Sequence, residues 1–361
     1  MRVLCPETAF VLGAGFSAHA KFPVIKKMRK AVLDHVESEP ATFFKHQNVR
    51  DQFYEGLEAP DEALAADGRI LDESFEELLI ELGKMKTANM IPATWITDQL
   101  LRYATGRLLW KLHHDGLPDA YLRFASFAWD SVGIISFNWD VLIEMALHQK
   151  GKAWGYDPKV SLSIIKPHGS INWSSHEQYG ARGGEMWRHV SPDSSLCYIP
   201  PSSETDHAIA VSQAFYDPFP DGANLELTYM LFPGDPDSPN CAQGLANAEK
   251  VAAEQRLLWK QAGELISRAS KVVFIGYSLP SYDKFAKRFL IDACKGKQVE
   301  VINPNPIDAE KLAREFGISS PVTLALKNFE ESEYANDWPQ TTRQPNAPRC
   351  ATQTDLEPRH E

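Results

Sequence analysis

Residues 9–24 read AFVLGAGFSAHAKFPV. Ala9–Leu12 is a short apolar run that stops at glycine, the pattern of a buried strand. After Ser17 the run VIKKMRKAVLDHV places Ile25, Met28, Val32 and Leu33 at helical spacing. Gly13 and Gly15 therefore fall at a strand-to-helix turn, and GAGFSA fits G-x-G-x-x-A. In that pattern the first glycine permits a tight turn and the second lets a pyrophosphate approach the backbone. The final small residue, here Ala18, allows the helix to pack close to the strand, and the helix N-terminus offers unpaired N–H groups to the anion. Glycines at strand ends also serve as plain turns, so the motif alone leaves both readings open. An ordinary dinucleotide site adds an acid about 20 residues on, at the end of a second strand. Asp34 has the spacing but sits inside the expected helix, so the dehydrogenase version is not supported.

Further along, three more apolar runs end in polar residues. VGIISF (132–137) leads into NWD, LSIIK (162–166) into PHGSINW, and KVVFI (271–275) into GYSLPSYD. QVEVI (298–302) is another strand, stopped by NPNP. Helical patterns lie between them: VLIEMALHQKG with Gly151 at its end, about 245–270, DKFAKRFLIDAC, and IDAEKLAREFG closing at Gly317. Alternating short strands and helices predict an α/β fold, a Rossmann-like doubly wound parallel sheet. Ligands of such sheets bind at the carboxyl ends of the strands. Four runs that all stop at small or reactive polar residues imply one shared crevice.

The segment from about 72 to 130 reads as helical throughout, a helical insertion beside the sheet. In it ESFEELLIELGKM opens with Glu73 and Ser74 and carries a stripe of Phe75, Leu78, Leu79 and Leu82, read as packing. A loop-rich insertion spans about 174–240 and holds many of the 24 prolines. One domain, 1–338, is expected, followed by a tail at 339–361 with almost no large apolar side chains, read as disordered.

Composition narrows the function classes. The 361 residues are 43 % apolar and 24 % charged, ordinary for a soluble globular chain able to bury its own core. With 37 basic and 48 acidic side chains the net charge is −11, which argues against a nucleic-acid or membrane-docking surface. The five cysteines (Cys5, Cys197, Cys241, Cys294, Cys350) are odd in number and contain no C-x-x-C pair, so neither a disulfide framework nor a zinc ribbon is indicated. No apolar run reaches the roughly 20 residues of a spanning helix, and the start lacks a secretory pattern. A reduced, cytoplasmic protein is the expectation.

GAGFS…FP, FNWD, HGSINW, IGYSLP..D and INP, in this order over residues 9 to about 305, resemble the sirtuin-like superfamily. The set is more similar still to its bacterial branch of NAD-cleaving antiviral defence proteins. By that resemblance Gly13, Ala14, Gly15 and Ser17 form the turn that cradles the NAD pyrophosphate. Asn138 holds the nicotinamide ribose and a catalytic water, Asp140 reads the nicotinamide carboxamide, and His168 is the general base. Gly276 and Ser278 lie in the loop at the adenosine side, and Asn303 lies near the adenine ribose. Two features depart from the deacylases of the superfamily. A four-cysteine zinc module cannot be built, and no Phe-Arg pair follows Phe22-Pro23. The resemblance therefore implies an NAD+ glycohydrolase, with NAD as substrate and no metal, that depletes NAD in antiphage defence. Homo-oligomer formation and a separate activating partner, Argonaute-like or a translocase ATPase, go with that branch. A deacylase and a non-catalytic NAD or ADP-ribose sensor are the alternatives.

Several residues keep a structural reading beside the functional one. Asn138 and Asp140 are good N-caps for the helix that follows them, and Ser278-Leu-Pro is a plain turn. KKMRK (26–30) is a solvated helix face rather than a phosphate site. His113 is read as a cationic residue at a helix end in preference to a metal ligand with His114 and Asp115. Trp173 and Trp187 stand open between pocket and core.

Overall fold

Strand β1 (Thr8–Leu12) is buried along its whole length, and so is β2 (Gly133–Ser136). Residues buried on both faces cannot alternate with polar ones, which is why these segments read as continuous apolar runs. The computed structural model describes residues 7–44, 46–66, 75, 78–79, 81–82, 85, 92–113, 116–129, 131–157, 159–175, 188–189, 196–198, 248–280, 283–318 and 320–335. In chain order the remaining strands are β3 (Ile164–Ile165), β4 (Trp173–Ser175), β5 (Arg188–His189), β6 (Leu196–Tyr198), β7 (Lys271–Ile275), β8 (Gln298–Ile302) and β9 (Val322–Ala325).

Six strands form one sheet in the order β3-β2-β1-β7-β8-β9, with every pairing parallel. This is the doubly wound α/β architecture expected from the sequence. From β1 the chain builds outward through β2 and β3. It then returns to the other side of β1 for β7, β8 and β9, so the direction of winding reverses between β1 and β7. At such a reversal the connecting loops part and leave a crevice above the strand ends. Edge strand β9 is only partly buried and has no strong strand signal in the sequence. Within 174–240, read as loop-rich, the described residues pair as a small antiparallel sheet, β4-β6-β5. The rest of that stretch lies outside the described residues, as do the tail at 339–361, Glu73, Ser74, Trp187, His114, Asp115, Cys5, Cys241 and Cys350.

The helices are α1 (Ala14–Ser17), α2 (Ile25–Ser38), α3 (Pro40–Phe43), α4 (Gln47–Ala66), α5 (Pro92–His113), α6 (Asp119–Ala128), α7 (Leu142–Gln149), α8 (Ala248–Ser267), α9 (Lys284–Ala293) and α10 (Pro306–Gly317). Gly56 and Pro60 speak against a helix over 47–66. Packing overrides them. The missing side chain of Gly56 leaves space that Thr97 and Ala93 of α5 fill, since a Cβ there would lie 2.3 Å from the Thr97 hydroxyl. Helix α6, from the segment read as an insertion, lies on β1, with Phe124 edge-on to Phe10 at 5.1 Å and to Phe16 at 5.2 Å. Trp173 belongs to the core, 1 % exposed and 4.9 Å from Tyr156. Lys27 and Lys30 of α2 are exposed, and Lys30 pairs with Asp34. That fits the solvated face read from KKMRK.

Candidate active site

The parallel register brings the strand ends level. Leu12 stands opposite Ser136 of β2 and Ile275 of β7, and Ile275 stands opposite Ile302 of β8. Gly13, Phe137, Gly276 and Asn303 therefore leave the sheet side by side. Above them opens a cleft that is partly open to solvent. Gly13, Ala14, Ser17, Asn138, Asp140, His168 and Ser278 line it. Its apolar wall includes Phe22, Met28 of α2, Leu109 of α5, and Phe75 from the FEELLIEL stretch. The shared crevice read from four separate strand ends is thus one cleft.

Gly15, Gly276 and Asn303 are not among the lining residues; they support the cleft from behind. The Gly13 N–H donates to the Ile275 carbonyl (3.0 Å) and the Gly15 N–H to the Gly276 carbonyl (2.9 Å). A Cβ on Gly13 would lie 2.6 Å from the Tyr277 Cα, and one on Gly15 would lie 2.8 Å from the Gly276 Cα. The bare backbone makes room first for the β7 loop. Three details differ from the expected phosphate turn. Gly13 is extended (φ −119°, ψ −179°), so its backbone shape does not itself demand glycine. Helix α1 is a single turn, and the N–H groups of Gly15 and Phe16 are already bonded within the protein, the latter to the Gly13 carbonyl at 2.8 Å. Ala18 is exposed, so it does not set helix-to-strand packing. Tyr121 of α6 holds the turn in place, its hydroxyl donating to the Phe16 carbonyl at 2.7 Å.

Asn303 reaches back from β8 to brace the same region. Its Nδ2 donates to the Tyr277 carbonyl (3.1 Å), while its Oδ1 accepts from the Asn305 N–H (2.9 Å).

A polar network crosses the cleft floor. Asn138 Nδ2 donates to the Gly13 carbonyl (2.9 Å) and to Ser17 Oγ (3.0 Å). Ser17 Oγ donates to Asp140 Oδ2 (2.6 Å), and Asp140 Oδ1 accepts from the Leu142 N–H (3.1 Å). Asp140 thus accepts the first N–H of α7 from the position before its N-cap, Val141, as well as lining the cleft, whereas Asn138 is turned to the glycine turn. Beneath them Lys166 is fully buried. Its Nζ bonds to the Asp140 carbonyl (2.5 Å), Ser170 Oγ (2.8 Å) and Glu144 Oε1 (3.0 Å). This ties the segment that carries His168 to the one that carries Asp140. Sequence reading takes Lys166 as a strand end; its burial follows from the tertiary fold.

Burial pushes the Asp140 carboxyl above the usual carboxylate range, with Lys166, Ser17 and the Leu142 N–H opposing the shift. A raised folded pKa means that the native state binds more protons than the unfolded chain once pH exceeds the unfolded value of about 4, so this group costs stability as pH rises from there. Asp140→Asn removes that titration. The stability of the variant relative to wild type should increase as pH rises above about 4, as read by urea unfolding. An equal pH slope in both proteins would contradict the shift.

His168 follows β3 and is 3 % exposed. Its carbonyl accepts from Trp139 Nε1 (2.9 Å), and its ring meets Phe137 edge-on at 4.9 Å. Its Nε2 lies 3.0 Å from Oδ2 of Asp283, whose other oxygen accepts from the Ala286 N–H (3.0 Å) and caps α9. Asp283 falls in IGYSLP..D, yet sequence reading gives it no role. A capping acid before a helical run was the legible signal, and only the fold brings it to the imidazole.

His113 does end α5, but it is buried there and its Nε2 accepts the Val141 N–H at 3.1 Å, so it serves as a hydrogen-bond acceptor and not as the cation expected. Among the described residues no group of three or more His, Cys, Asp or Glu is arranged to hold a metal ion, and no helix is long and apolar enough to cross a membrane.

No protein-family model matches the sequence, and no curated protein does. Among solved structures, that of Sir2Tm bound to a propionylated peptide aligns over 90 % of this chain and 88 % of that one, at 16 % identity and a TM-score of 0.38. The fold class rests on the sheet order itself.

Proposed function

We propose that this chain is an NAD+ glycohydrolase that cleaves the bond between nicotinamide and ribose. The observation that carries the reading is the meeting of Asn138, Asp140 and His168, from two different strand ends, in one cleft at the winding reversal. The ordered motifs that resemble the NAD-cleaving branch point to the same cleft.

The chemistry needs little acid assistance, because the departing nicotinamide is cationic in the substrate. A water oxygen attacks C1′ of the ribose as the C1′–N bond breaks. The bonding pair leaves with neutral nicotinamide, and the proton lost by the water passes to His168, giving ADP-ribose. An imidazole suits that task near neutral pH. Both amide hydrogens of Asn138 are committed to Gly13 and Ser17, which leaves its Oδ1 to accept from the attacking water or a ribose hydroxyl. The Asp140 carboxyl takes the nicotinamide carboxamide. The apolar wall lowers the polarity around the site, where such contacts act more strongly. In this reading Gly13, Ala14 and Ser17 face the pyrophosphate and Ser278 the adenosine side, while Gly15, Gly276 and Asn303 act by supporting those loops from behind. NAD depletion in antiphage defence is the biological role that goes with this reading, with self-assembly or a separate activating protein as the trigger.

Purified protein given NAD should release nicotinamide, and Asn138→Ala should lower that release by at least about 10-fold. Turnover that requires an acyl-lysine peptide would favour a deacylase. Absence of turnover at every protein concentration and with candidate activators would remove the hydrolase reading.

A further inference from the structure

The histidine of the cleft is buried in an unusual condition. Nδ1 and Nε2 of His168 and Oδ2 of Asp283 are all buried, and none makes a hydrogen bond within the protein. Nε2 and Oδ2 are nevertheless only 3.0 Å apart, within ion-pair distance. Leaving buried polar atoms unmatched costs stability, and native proteins rarely accept it without a use. Catalytic hydrogen bonds are often poorly aligned before substrate arrives and tighten in the complex.

We propose that Asp283 is the positioning residue for His168, an inference that rests on the NAD-cleaving reading. Its carboxylate holds the imidazole in the tautomer with the proton on Nε2. The lone pair is then on Nδ1, which becomes the atom that takes the proton from the attacking water. After that transfer the ring carries a proton on each nitrogen, and the carboxylate beside Nε2 offsets the new positive charge. An acid that orients a catalytic base and balances its charge follows the same logic in other hydrolases. The anchoring is built in. Oδ1 of Asp283 is fixed by the Ala286 N–H at the start of α9, so the carboxylate cannot swing away without uncapping the helix. Phe137 and Trp259 meet the imidazole edge-on, at 4.9 and 6.4 Å, and limit its movement. The acid arrives from the β7 side of the winding reversal and the imidazole from the β3 side. The pair therefore joins the two halves of the sheet beside the cleft.

Asp283→Ser and Asp283→Asn both keep a good N-cap residue while removing the carboxylate, so helix α9 retains its start. Protein labelled with 15N at histidine gives the test, the His168 signals being those lost in His168→Ala. The wild-type ring should show a protonated Nε2 and a bare Nδ1, and both Asp283 variants should lose that preference. Their kcat for NAD cleavage should fall at least about 10-fold with KM within about 2-fold. An unchanged tautomer in the variants, or a wild-type ring with its proton on Nδ1, would overturn the role of Asp283. The spectra need no turnover. Wild type that fails to cleave NAD while the tautomer responds to Asp283 would instead remove the hydrolase reading and leave the pair standing.

Discussion

Replacing His168 with alanine is expected to lower kcat for NAD cleavage by about 10²–10⁴-fold, the usual contribution of a general base. KM should change little, because the proton moves only in the transition state. The alternative cause of lost activity is a damaged fold, since the ring is buried against Phe137 and Trp259. His168→Gln separates the two. It fills much of the same space and keeps polar atoms near Asp283, but it cannot accept the proton at neutral pH. The glutamine variant should fold like wild type by denaturant midpoint and be almost as inactive as the alanine variant. Wild-type turnover in both would remove His168 from the mechanism. Because Asp283 lies 3.0 Å from the imidazole, the two sites are coupled. Adding an Asp283 substitution to His168→Ala should therefore lower the rate less than it does in wild type.

The second large effect is on stability. Gly276→Ala should cost roughly 3–5 kcal/mol, combining overpacking with a left-handed backbone. Gly276 has φ +62°, and a Cβ there would lie 2.2 Å from the Phe16 nitrogen and 2.3 Å from the Gly15 carbonyl carbon. These are backbone atoms and cannot rotate away. The glycine turn cannot retreat either, because Phe16 is packed against Tyr121 (5.0 Å) and Phe329 (4.6 Å). Gly296→Ala is the control. It has φ +74° but nothing within 4 Å of the added Cβ, so it isolates backbone strain and should cost only about 1 kcal/mol. Guanidinium unfolding of the two variants reads the difference directly. Equal costs would mean that the two loops are not held in contact.

Those glycines also show where sequence reading reaches its limit. The need for small residues at Gly13 and Gly15 was legible as a strand-to-helix turn, with a tight bend expected at Gly13, an approaching anion at Gly15, and a plain turn as the alternative. The structure puts the β7 loop there, at positions more than 260 residues away in the chain. The same holds for Lys166, read as the end of a strand and found fully buried between Glu144, Ser170 and the Asp140 carbonyl. Helix α4 and edge strand β9 were not legible. Gly56 and Pro60 weaken the local helix signal, and a half-exposed edge strand lacks the continuous apolar run of its central neighbours.

By itself the sequence determined the central strands and the class of sheet they build, because a strand buried on both faces must be apolar along its length. It also placed reactive side chains directly after those strands. Only the tertiary structure decided which of them meet. The pairing of Asp283 with His168, the hold of Asn138 on Gly13 and Ser17, and the seating of one glycine loop on another depend on strand order and register. Those contacts join segments far apart in the chain, and a local pattern of residues has no means of encoding the distance between them.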